Sequence, residues 1–99
     1  MKQLEVLDIG GCLNLTSAAF EYLGKNCADS LLELRVFGIN NKNIDFGKLC
    51  KLKKLNKIDA GNTSIVMANL YDLLQNCTFI SEINISYCIN IYIFIIIHI

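Results

Sequence analysis

One pattern governs what this chain can fold into. The motif L-x-x-L-x-L-x-x-C occurs as Leu4, Leu7, Ile9, Cys12 and returns as Leu31, Leu34, Val36, Ile39. It recurs as Leu55, Ile58, Ala60, Thr63 and as Ile80, Ile83, Ile85, Cys88. The copies are offset by 27 residues from Leu4 to Leu31, 24 from Leu31 to Leu55 and 25 from Leu55 to Ile80. A fixed period of about 20–50 residues is the signature of a stacked array, in which a unit that cannot bury its own apolar face merges that face with its neighbours. Apolar residues in strict alternation at the head of each copy predict a short strand.

Between the strands the spacing becomes helical. Leu15, Phe20, Leu23 and Cys27 fall on one face of a helix whose start Thr16 or Ser17 can cap, and Val66, Leu70, Leu73 and Cys77 repeat the pattern. The second copy is shorter. Its Ile44, Phe46, Leu49 and Leu52 leave room for two helical turns or a 3₁₀ segment.

Cys12-x-x-Leu15-Thr16, followed by Phe20-x-x-Leu23-x-x-x-Cys27, resembles the cysteine-containing leucine-rich repeat of F-box adaptor proteins over about residues 4–91. The resemblance implies an α/β leucine-rich repeat solenoid, a short horseshoe with parallel strands on the concave side and helices on the convex side. It also implies an intracellular protein, in the cytoplasm or nucleus. Ile39 and Thr63 depart from the family's cysteine. The functional expectation is protein binding: substrate recognition for an F-box-type ubiquitin ligase adaptor, or a free-standing repeat scaffold with no ligase role.

Strand alternation sends residues between the motif leucines to the opposite face of the sheet. That face carries Val6, Asp8 and Gly10, then Glu33, Arg35 and Phe37, then Lys57, Asp59 and Gly61, then Glu82, Asn84 and Ser86. Read across the strands, Val6-Glu33-Lys57-Glu82 and Asp8-Arg35-Asp59-Asn84 form rows of alternating charge. Asp8, Glu33, Arg35, Phe37, Lys57, Asp59, Glu82 and Asn84 are therefore the candidate partner-binding residues. Two readings stand side by side: the charges satisfy one another as exposed ion pairs, or they read a ligand. Phe37 either anchors a partner or packs under a neighbouring loop.

Composition narrows the function classes. Nine basic and nine acidic residues cancel, which removes the broad positive field that nucleic-acid binders carry. Six lysines crowd residues 42–57 and read as a solvated outer face. The five cysteines form no C-x-x-C pair and meet only one histidine, so no metal site or disulfide framework is expected. The N-terminal segment lacks the apolar core of a secretory signal. Cys12 and Cys88 are expected to pack at the strand-to-loop corner and donate weakly to a carbonyl. His98 has no acidic residue within ten positions, so no nucleophile-base pair is visible, and neither enzymatic activity nor a cofactor is expected.

The ends depart from the pattern. Met1 stands three residues before Leu4, which leaves no capping segment and suggests a fragment, a truncated gene model or a chain completed by something else. After Ile91 the frame is lost, and residues 92–99 form a separate apolar tail. Its β-branched run predicts an extra strand or an aggregating segment, and it is far shorter than the roughly 20 residues that cross a bilayer.

Overall fold

The computed structural model describes residues 3–98. Four three-residue strands, β1 (Val6–Asp8), β2 (Glu33–Arg35), β3 (Lys57–Asp59) and β4 (Glu82–Asn84), form one parallel sheet in chain order. Helix α1 (Ser17–Asn26), a 3₁₀ helix (Phe46–Lys51) and helix α2 (Met67–Asn76) connect them, and α3 (Ile89–His98) follows β4. Each connection returns the chain parallel to the strand it left, which requires such a crossover. Helix α1 packs on the 3₁₀ helix, the 3₁₀ helix on α2, and α2 on α3. The helices thus follow the strand order and make a second layer on one side of the sheet. The fold is α/β, 41 × 29 × 17 Å in extent.

The strands pair in the register the motif requires. Leu7, Leu34, Ile58 and Ile83 are successive partners, flanked by the rows Val6, Glu33, Lys57, Glu82 and Asp8, Arg35, Asp59, Asn84. Backbone bonding continues past the strand ends in the same way at every interface. Ile9 donates to Arg35, Val36 to Asp59 and Ala60 to Asn84; Gly11 donates to Phe37, Gly38 to Gly61 and Asn62 to Ser86. On the other side of the strands Glu5 O accepts from Leu32 and Glu33, Leu32 O from Asn56 and Lys57, and Asn56 O from Ser81 and Glu82.

Burial follows the stacking. Leu31, Leu34, Val36, Leu55 and Ala60 are fully buried, and Ile58 almost so. In the outer copies Leu4, Leu7, Ile9, Ile80, Ile83 and Ile85 are only partly buried, because each has a neighbouring copy on one side alone. Phe20 of α1 and Phe46 of the 3₁₀ helix meet with ring centroids 5.4 Å apart, joining the first two helical segments within the core.

The corner position behaves the same way. Ile39, Thr63 and Cys88 are buried. The Thr63 hydroxyl and the Cys88 thiol both donate to Ala60 O, at 2.7 and 3.0 Å, so the polar atoms are satisfied where they are desolvated. Cys12 is a correction to the expected packing. It is exposed, because β1 lies at the sheet edge and only one copy covers that corner.

Three helix expectations also change. Thr16 occupies the N-cap of α1 without a side-chain hydrogen bond. The Ser17 hydroxyl accepts from Asp45 N at 2.8 Å instead, tying the first copy to the second. At α2 the buried anchor is Ile65, while Val66 is 41% exposed at the N-cap. Asn69 Oδ1 reaches back to Val66 N at 3.5 Å. Residues 92–98 do not add a strand: they belong to α3, which leaves β4 at the sheet edge, and Ile99 lies outside the described residues. A cap-free β-branched run becomes helical here because the preceding copy supplies a start, with Ile91 N and Tyr92 N bonding Cys88 O at 3.0 and 3.2 Å.

Every copy needs one left-handed residue four positions after its central strand residue. Gly11 and Gly38 take it at φ 75° and 82°, and Asn62 at 51°. The fourth copy puts Tyr87 there at φ 63°. A bulky L-residue in this region costs on the order of 1–2 kcal/mol. Tyr92 Oη partly offsets this by accepting from Tyr87 N at 3.0 Å, a bond that any residue at position 87 retains.

Two substitutions test this architecture. Leu34→Asp places an unpaired carboxylate in the middle of the stack and removes core volume, a loss of well over about 3 kcal/mol. Circular dichroism on heating should show no cooperative transition, and a parent-like melt would mean that position 34 does not face a core. Tyr87→Gly relieves the strained φ and should raise stability by about 0.5–1 kcal/mol in urea unfolding. A lower urea midpoint would contradict the strain.

Candidate functional site

The outward sheet face is the surface on which the candidate residues meet. Parallel pairing holds the Cα atoms of all of them but Phe37, which lies just past β2, in two transverse rows whose spacing the ladder sets. An open groove of about 710 Å³ crosses β2, β3 and β4 between Glu33, Arg35, Lys57, Asp59, Glu82 and Asn84. Asp8 and Phe37 lie outside that groove.

The row charges are only partly spent on one another. Lys57 Nζ lies 3.8 Å from Glu82 Oε1 across neighbouring strands, an exposed pair worth about 0–1 kcal/mol. Arg35 turns along its own strand to Glu33, with the guanidinium nearly half exposed, rather than across to Asp8 or Asp59. Asp59 Oδ1 accepts from Asn84 Nδ2 at 2.9 Å, a charge-assisted link between β3 and β4.

Three candidate residues also have local duties. Asp8 Oδ1 accepts from Gly10 N at 2.9 Å, Asp59 Oδ1 from Gly61 N at 3.1 Å, and Asn84 Oδ1 from Ser86 N at 2.9 Å. These Asx turns bend the chain out of each strand. The signal was present in the sequence as Asp8-x-Gly10, Asp59-x-Gly61 and Asn84-x-Ser86, at one position of the repeat. Arg35 occupies that position in the second copy and breaks the series, so its side chain has no turn to close.

Phe37 is 42% exposed. Its ring rests on Gly61: a Cβ at position 61 would stand 2.7 Å from Phe37 Cδ2 and 3.0 Å from Asn84 Nδ2. The ring therefore leans towards the third copy rather than spanning the ground between Gly10 and Gly61. It packs on backbone, with part of its surface left to solvent. The absence of a side chain at Gly61 is what lets it lie flat.

A second groove lies away from the residues that the repeat pattern singles out. It holds about 500 Å³ at the strand-start edge of the sheet, where Val6, Leu32 and Phe79 meet Glu5, Lys54 and Asn56. Val6 is 49% and Phe79 62% exposed. The repeat frame could not flag Leu32 or Phe79, because neither occupies a motif position.

The thiols sit apart from both grooves. Burial pushes the Cys50 thiol upward, reinforced by the Asp72 carboxylate, and burial beside Cys50 pushes Cys77 upward as well. Both stay protonated, and so weakly nucleophilic, at neutral pH. His98 Nδ1 lies 2.8 Å from Phe94 O and its ring stacks on Phe94, with centroids 4.0 Å apart. Among the described residues no group of three or more His, Cys, Asp or Glu could hold a metal ion. No helix among them is long and apolar enough to cross a membrane.

Alkylation in native buffer should mark Cys12 first, with Cys27, Cys77 and Cys88 protected until denaturant is added. Mass spectrometry of timed digests reads the order. Rapid native labelling at Cys77 or Cys88 would contradict their burial. None of the protein-family models, curated proteins or solved structures compared with this chain matches it significantly.

Proposed function

We propose that this chain is a protein-interaction module, a short leucine-rich repeat solenoid that grips another protein across the outward face of its sheet. The observation that carries the reading is the register. Charged residues of both signs stand in two ordered rows, and a half-exposed aromatic ring stands beside them on a rigid backbone. Aromatic and arginine side chains held in place before binding are the usual energetic centres of protein interfaces, because little rotamer freedom is lost on contact. Arg35 and Phe37 are the two such residues on this face, and neither closes a turn. The near-zero net charge disfavours nucleic acid as the partner.

The resemblance to F-box adaptors extends the proposal. The partner is then a protein destined for ubiquitin-dependent degradation, bound in the cytoplasm or nucleus. No catalytic residue on this chain is called for, since an adaptor supplies recognition alone.

Proximity labelling with the parent chain and with an Arg35→Glu/Phe37→Ala variant tests the reading. A protein enriched with the parent and lost with the variant is the expected result. For that protein, Phe37→Ala alone should weaken affinity at least about 10-fold, the 1.4 kcal/mol or more of an interface anchor. Co-enrichment of ubiquitin ligase core subunits carries the adaptor extension. Identical partner profiles for parent and double variant would sink the face as the binding site.

A further inference from the structure

Helix α3 projects six consecutive apolar side chains into solvent. Tyr92, Ile93, Phe94, Ile95, Ile96 and Ile97 are 39–71% exposed, and Ile91 is the one fully buried apolar residue of the helix. An amphipathic helix would hide such residues on one side. This one is apolar all round, the pattern of a helix covered by protein on more than one face. Among the secondary-structure elements it packs on α2 alone, with a further bond from Asn90 Nδ2 to Ser64 O, whereas α1 and α2 both pack broadly on the 3₁₀ helix.

We infer that α3 is a self-association element, covered by α3 of a second copy of this chain. The area fits. Six exposed residues of this size present on the order of 600–700 Å² per chain, beyond the roughly 300–600 Å² of the largest patch on a typical monomer. Two such faces approach the 1,200 Å² at which specific interfaces begin, and Ile89 in the first turn of the helix and Tyr87 just before it, 57% and 72% exposed, add to them.

Charge selects the occupant. Residues 89–97 contain no Asp, Glu, Lys or Arg, so any surface carrying fixed charge would lose hydration against them without gaining an ion pair. The other exposed apolar group, Val6, Leu32 and Phe79, shares its groove with Glu5, Glu33 and Lys54, charges that α3 would desolvate without pairing. On this chain α3 alone matches α3, and two copies meeting through it make a closed two-fold contact. A membrane surface fits less well, because an interfacial helix needs a polar face and α3 has none.

The inference does not depend on the proposed binding face, and its test leaves that face untouched. The full chain, at about 1–50 µM, is examined by sedimentation velocity, with vesicle flotation on neutral and anionic lipid in parallel. The expected species has twice the 11.1 kDa mass of the chain and does not float. An Ile93→Glu/Ile97→Glu pair, one turn apart on exposed positions, should raise the dimer dissociation constant at least about 100-fold with an unchanged circular dichroism spectrum. An Ile96→Glu variant covers the possibility that the contact lies round the helix, and should also favour the monomer. A parent that is monomeric throughout, one that floats with vesicles as a monomer, one whose mass grows without limit, or a dimer that survives both variants overturns the inference.

Discussion

The structure depends on a parallel backbone ladder that is the same at each of its three interfaces. Because every strand pairs with the next in one register, Leu34 and Ile58 lie beside Leu7 and Ile83, and equivalent side chains cover one another. No copy could bury its motif residues by itself: a three-residue strand and one short helix enclose too little volume. The gradient of burial expresses this. Central copies are dry, outer copies half so, and Cys12 at the outermost corner is open to solvent. Cooperativity in such a stack comes from interfaces between copies, so a lesion in the second or third copy acts on two interfaces and one in the first or fourth on a single one.

The ladder also needs each strand to leave the sheet in the same direction, and two local devices supply this. A left-handed residue four positions past the strand centre turns the chain, and an Asx side chain holds the turn in three of the four copies. The second copy replaces the Asx residue with Arg35, and the fourth accepts strain at Tyr87. Each departure releases or burdens a side chain at a definite place. Arg35 is freed for the surface, and Tyr87 enlists Tyr92 from the following helix to hold its amide. The polar links between copies, Ser17 with Asp45, Ser64 with Asn41 and Asn90 with Ser64, fasten the helical layer to the same period.

The strand register could be read from the sequence because it follows from two periodicities at once: the alternation within a copy and the spacing between copies. A slip of one residue at any strand would have moved a leucine to the outward face. The same logic placed Glu33, Arg35, Lys57, Asp59, Glu82 and Asn84 together around one groove. What could not be read has a common cause. Side chains with several possible partners choose by distance, which no spacing rule supplies: Arg35 selected Glu33 on its own strand, and Ser17 took a donor from the neighbouring copy in place of its own helix cap. The tail departs from its expected strand for a related reason. Intrinsic preference favours a strand for an isoleucine run, yet a chain leaving β4 through the same corner as the earlier copies is started as a helix by Cys88 O.

The two proposals meet in one consequence. The outward sheet face and helix α3 belong to different layers, so joining two chains through α3 leaves both sheets accessible. A pair of weak faces held at a fixed separation binds a partner with two matching sites far more tightly than one face does, since the second contact forms at an effective concentration set by the first. The outward face is well suited to that regime. Its exposed ion pair contributes little by itself, its groove is open, and a single ring, Phe37, offers the main apolar contact beside it. A face of modest intrinsic affinity discriminates better when two must engage together. The apolar helix that would burden an isolated chain then becomes the element that sets the spacing of two recognition surfaces.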